Sequence, residues 1–174
     1  SPPGWPGGAA DPMPVTTDIA ASYRRPGAVV RGHLARGVTE PRALAFLMGG
    51  CLVVFVGQWP RLAREAHLTE GQSLEQLLAG AFFGWVLVMP LVLYALAGLA
   101  QLLARAIRRP VGGLASRFAL FWAFLAASPL ALLAGLTGGF VGAGIEAQIV
   151  GAAWLAAFLW FWITGLRTIR AEAA

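Results

Sequence analysis

Apolar residues fill four runs of the chain, at about 43–59, 77–104, 118–136 and 149–165, and polar or glycine-rich stretches separate them. The runs are continuously apolar rather than alternating, and their lengths suit membrane helices. At 1.5 Å per residue the first would extend about 25 Å, against a hydrocarbon core of roughly 30 Å. The second would extend about 42 Å, more than the core needs. Trp85 at the interface would trim it to 85–104, leaving 74–84 as a helical extension outside the bilayer. The pattern predicts an all-α integral membrane bundle of four transmembrane helices, with a fifth accommodated only as a re-entrant or interfacial piece near 130–145 or 74–84. Pro41 suits the start of the first span and Trp59 its far interface, and Pro60 is where that helix is expected to stop. Pro90 and Pro129 are the expected kinks.

Before the first span, residues 15–42 read as a basic amphipathic segment. A short helix is expected over 16–25, with Thr16 or Thr17 as cap and Asp18 near its positive end. Pro26 suits the first turn of a second helix, which Gly37 can end. Val29, Val30 and Leu34 form its apolar side, with Arg31 opposite, as in a helix lying on lipid headgroups. Residues 1–14 hold five prolines and three glycines and read as a disordered tail, with Met13 a candidate natural start. No apolar run follows a basic head there, so a secretory signal is not expected. Residues 60–76 form a charge-balanced connection with room for a short amphipathic helix. Residues 105–117 form a basic turn, 137–148 a glycine-rich loop and 171–174 a tail.

Composition agrees with a lipid-facing molecule: 58% of residues are hydrophobic and 12% charged, and mean hydropathy is +0.70. A soluble domain carries about a quarter charged residues. The net charge is +5, and all 13 basic residues are arginine, a bias we attribute to coding composition. With four spans, one side of the membrane holds 11 of them and the other only Arg61 and Arg64. Cytoplasmic loops are enriched in basic residues, so both termini are expected in the cytoplasm, across a bacterial inner membrane. Arg24, Arg25, Arg31, Arg36, Arg105, Arg108 and Arg109 are then candidates for lipid headgroup contact. Nucleic acid is not an expected partner, because the arginines are spread over three segments and only Tyr23 offers a nearby stacking ring.

Little in the chain points to chemistry. The stretch "GAGIEA" at 142–147 fits a loose dinucleotide fingerprint, but lies between two spans rather than after a strand. His33 and His67 fall on opposite sides of the membrane, and the single cysteine, Cys51, sits in an apolar run. No catalytic, cofactor-binding or metal site is expected, nor any cofactor, and the protein is not read as an enzyme. Glu146 reads as a solvated residue at a span end. Gly80/Gly84, Gly135/Gly139 and Gly138/Gly142 have the small-xxx-small spacing that lets helices approach closely.

The stretches "ALAFLMGGCLVVFVGQWPRLAREAHL", "RFALFWAFLAASPLALLAGL" and "VGAAWLAAFLWFWITGLR" resemble the small bacterial members of the Yip (Ypt-interacting protein) domain family, over roughly residues 13–170. The family is polytopic, usually with five spans where four are found here, and the acidic–aromatic motifs of its eukaryotic members are not visible. The resemblance implies an integral membrane protein without known catalysis. The leading expectation is a scaffold or accessory protein that binds membrane lipids or a larger membrane complex. The alternative is a small transporter or channel acting as a homo-oligomer.

Overall fold

A computed structural model describes residues 14–106 and 112–172, and among these it is built from helices and turns alone. Two short helices, α1 (Val15–Ser22) and α2 (Pro26–Ala35), precede α3 (Glu40–Leu68). Next come α4 (Leu74–Phe82), a π-helical segment (Phe83–Val88) and α5 (Met89–Ala106), which form one continuous rod. The helices α6 (Gly113–Phe140) and α7 (Ile145–Glu172) complete the fold. Four of these units are long and apolar enough to cross a membrane: Glu40–Leu68, Leu74–Ala106, Gly113–Phe140 and Ile145–Ala171. The chain is an all-α bundle and a multi-pass membrane protein. Neither place reserved for a fifth span supplies one: α6 runs unbroken to Phe140, and 74–84 belongs to the second long rod.

The helices run further than the apolar runs that announced them. The first continues through Pro60 to Leu68 instead of stopping. Proline lacks only its own N–H, so it leaves one carbonyl four residues earlier unserved; helix on both sides can carry the chain through. Pro129 shows how such a defect is repaired. It withholds a donor from the Leu125 carbonyl, and the neighbouring Ser128 hydroxyl donates to that oxygen at 2.7 Å. Pro90 is accommodated differently, because the turns before it widen into the π-helical segment and Met89 N–H bonds back to Gly84. Trp85 is partly buried and packs against the core.

The central helix is α6, 67% of whose most apolar window is buried, against 17% for α7. Its main partners are α3 and α7. Apolar burial between helices gains little in lipid, where acyl chains are equally apolar, so close van der Waals packing must hold them. Glycine supplies it at the α3–α6 contact. A Cβ on Gly135 would overlap the Gly57 carbonyl, one on Gly139 would stand 2.5 Å from Pro60, and one on Gly50 2.8 Å from the Phe124 ring. Gly80 and Gly84 correct the spacing argument: nothing lies within 4 Å of a Cβ at either. They sit where the α4 rod faces outward, so their four-residue spacing joins no helices within the chain. Gly138 meets the stem of Arg61 within the α3–α6 contact, whereas Gly142 lies beyond the end of α6 near the Arg64 guanidinium.

Candidate functional site

At the end of the bundle that carries the chain's N-terminal helices, α1 and α2 fold into a hairpin against α6 and α7. Gly37, at φ 77°, ends the turn after α2 as expected. The side chains of Val29, Val30 and His33 are buried, so the apolar face of α2 meets protein rather than lipid headgroups. This corrects the picture of a helix lying freely on the membrane. Burying each valine from water contributes about 1.5–3 kcal/mol to docking. Glycine again permits the approach, since a Cβ on Gly27 would stand 2.7 Å from the Thr168 hydroxyl of α7.

Polar groups are sealed into this contact. Asp18, on α1, is 6% exposed and His33, on α2, is 2% exposed. His33 Nε2 stands 3.1 Å from Asp18 Oδ2, and Arg36 Nη2 lies 3.6 Å from the same oxygen. The imidazole is boxed by Phe46 of α3 and by Phe118 and Trp122 of α6, with ring centroids 4.5–5.6 Å away. Burial pushes the His33 pKa below its ordinary value; Asp18 opposes this, while Arg36 and Arg42 add to it. Around the box, Trp122 Nε1 donates to Ser22 Oγ at 3.1 Å, Ser22 donates to the Asp18 carbonyl at 2.8 Å, and Tyr23 donates to the Ala126 carbonyl at 2.9 Å. A second link joins the start of α3 to α6, where Arg117 Nη2 bonds Glu40 Oε2 at 3.0 Å; Tyr94 of α5 donates to Glu40 Oε1 at 3.4 Å.

The opposite end has a different character. A cavity of about 630 Å³ opens between α3, α6 and the start of α7. Gln58, Arg61, Arg64, Glu65 and Thr69 of α3 and its following turn form one wall, with Gln148 of α7 on another. Its floor is Ala134, Gly135 and Gly138 of α6. Arg61 Nε bonds Gln58 Oε1 and its Nη1 bonds Glu65 Oε2, both at 3.2 Å. Arg64 Nη1 reaches the Gly139 and Phe140 carbonyls at 3.4 Å, where α6 ends and a cation suits the helix dipole. Gly142 closes this turn at φ 104°, and a Cβ there would come within 3.1 Å of the Arg64 guanidinium.

Of the candidate headgroup residues, Arg24, Arg25, Arg31 and Arg105 are exposed. Arg36 is exposed too, but its guanidinium is turned toward Asp18 and the Gly32 carbonyl. Arg108 and Arg109 lie outside the described residues, as do positions 1–13 of the expected tail. His33 and His67 fall in different settings, His33 buried and His67 exposed. Among the described residues no group of three or more His, Cys, Asp or Glu side chains is placed to hold a metal. Cys51 is fully buried on α3. Sequence reasoning missed the Asp18–His33 pair, because the partners are 15 positions apart on different helices. It also missed the cavity, whose floor consists of residues with almost no side chain.

No family profile, no curated protein and no solved structure matches the chain.

Proposed function

We propose that the chain is a non-enzymatic scaffold or accessory protein of a bacterial inner membrane, with both termini in the cytoplasm, that binds lipid and a larger membrane complex. One observation carries the reading. Two pairs of buried polar side chains face each other across helices, Asp18 with His33 at 3.1 Å and Trp122 with Ser22, while long apolar faces of α5 and α7 point outward. Leu91, Leu102, Leu103, Ile149 and Leu155 are all exposed on them. A surface of this kind is suited to acyl chains and to other membrane helices. The reading agrees with what the Yip-type resemblance implies.

The arginine distribution supports the orientation. The exposed Arg24, Arg25, Arg31 and Arg105 belong to the N-terminal end, and only Arg61 and Arg64 to the other. The transporter alternative needs a wet path along the bundle. Phe118, Phe121, Trp122 and Phe124 fill the first half of α6 with rings no more than 2% exposed, which argues against such a path through that end within one copy. Purification from gently solubilised membranes is expected to recover specific membrane proteins with the chain. Recovery of the chain alone, together with solute flux through liposomes containing it, would overturn the proposal in favour of transport.

A further inference from the structure

We infer that the cavity between α3, α6 and α7 is a headgroup site for an anionic phospholipid, whose phosphate is held by Arg61 and Arg64. The inference deepens the lipid-binding half of the scaffold reading and depends on no protein partner.

Its volume, about 630 Å³, lies within the range of about 300–1,000 Å³ usual for small-molecule sites. The α6 floor is low: Ala134, Gly135 and Gly138 carry at most a methyl group between α3 and the start of α7. Polar groups converge from one face of α3, since Gln58, Arg61 and Glu65 are spaced three and four apart. The two guanidiniums are oriented by exposed hydrogen bonds of 3.2–3.4 Å. Gln58 and Glu65 fix Arg61 through Nε and Nη1, and the last carbonyls of α6 fix Arg64 through Nη1. Neither Nη2 makes a hydrogen bond among the described residues. Paired guanidiniums match phosphate geometry, because each presents a planar fork of donors. Glu65 is a weak competitor: its bridge to Arg61 is an i,i+4 pair with both side chains more than two-fifths exposed, and such pairs contribute little.

Depth and wall chemistry select a lipid over a soluble anion. Gln58, in the cavity wall, precedes Trp59 in the chain; Trp59 itself faces α4, and its half-exposed ring suits the membrane–water interface at that level of α3. Leu68, Ala143 and Ala147 make much of the remaining lining apolar, which suits the glycerol and upper acyl chain of a lipid.

The test is native mass spectrometry of the full chain in detergent, with phosphatidylglycerol, phosphatidylcholine or inorganic phosphate added. Phosphatidylglycerol is expected to remain bound through gentle activation, and phosphatidylcholine to be retained at least about tenfold less, because its choline cation offsets the attraction of its phosphate to two arginines. The double variant Arg61→Gln/Arg64→Gln is expected to lose the preference. Because Arg64 also serves the end of α6, Ala147→Leu provides a second variant, which puts a branched side chain into the apolar part of the cavity and keeps both arginines; it is expected to lose phosphatidylglycerol by a similar factor. Equal retention of the two lipids, undiminished binding in Ala147→Leu, or displacement of the lipid by millimolar inorganic phosphate would overturn the inference. A failure to find protein partners in purification would leave these results unchanged, so the two readings fail separately.

Discussion

The N-terminal end of the bundle is filled with aromatic rings, whereas at the far end the same two helices, α3 and α6, meet through glycine. Around Phe46, Phe118 and Trp122 the space between helices is occupied by side chains, and it admits a buried carboxylate and imidazole only because they face each other. Around Gly57 and Gly135 the backbones approach so closely that no side chain fits between them. Past that contact the small residues of α6 leave the cavity instead. Packing by rings specifies which groups lie inside. Packing by glycine specifies how near the helices come, and it leaves room wherever a neighbouring helix turns away.

The comparison breaks most sharply at Gly135. Gly135→Leu is expected to cost more than about 4 kcal/mol, enough to abolish the folded bundle, because the new side chain enters the Gly57 backbone. Gly84→Ala, with open space at its Cβ position, is expected to stay within about 1 kcal/mol of the parent. Thermal unfolding in detergent, followed by far-UV circular dichroism, would measure both; equal effects would refute the glycine contact. At the other end Trp122→Ala is expected to cost about 3–5 kcal/mol through the void it leaves. Trp122→Phe, which removes the donor to Ser22 while keeping a ring, should cost only about 1 kcal/mol.

A smaller effect should appear with pH, at the N-terminal end alone. Burial lowers the His33 pKa below its ordinary 6.5, so the unfolded chain binds the proton more readily than the folded one. Stability contributed by neutral His33 is then fully present above about pH 6.5 and lost as the pH falls below it. The unfolding temperature should drop between pH 7.5 and pH 5, and His33→Phe should flatten that drop. A parent whose stability rises on acidification would contradict the burial argument. The gentlest perturbation tests the separation of the ends. In a Cys51→Ser background, Arg31→Cys and His67→Cys place thiols at two exposed positions, and an impermeant reagent applied to intact cells should label position 67 only.

The number of spans and the helical class were legible because continuous apolar runs of this length have few other uses. Pro26 and Gly37 marked the ends of α2, since one suits a first turn and the other a left-handed turn. The capping box at Ser73 and Gln76 was equally readable as S-x-x-Q, yet passed unread; it places the start of α4 at Leu74. Pro60 misled because a proline inside a helix is disfavoured locally, while here the helix continues through it and packs against Gly139 of α6. Gly135 and Gly139 showed helix-packing spacing, but so did Gly80 and Gly84, and a spacing cannot say whether a partner stands opposite. Asp18 was read as a helix-end charge and His33 as an isolated histidine. Their pairing depends on how α1 folds back beside α2, which no local pattern records. The cavity was least visible, being defined by how α3 and α7 flank the small residues of α6 rather than by any residue's chemistry.

The bonds from Ser22 to Trp122 and from Tyr23 to Ala126 join residues 100 and 103 positions apart, and that distance orders events during synthesis. When the hairpin of α1 and α2 leaves the ribosome, the helix that will receive it has not been made. Two membrane spans must be inserted before α6 emerges, and throughout that interval Val29, Val30 and His33 have no seat. The hairpin therefore finds its full seat only once α6 and then α7, its larger partner, have emerged, although it is translated first.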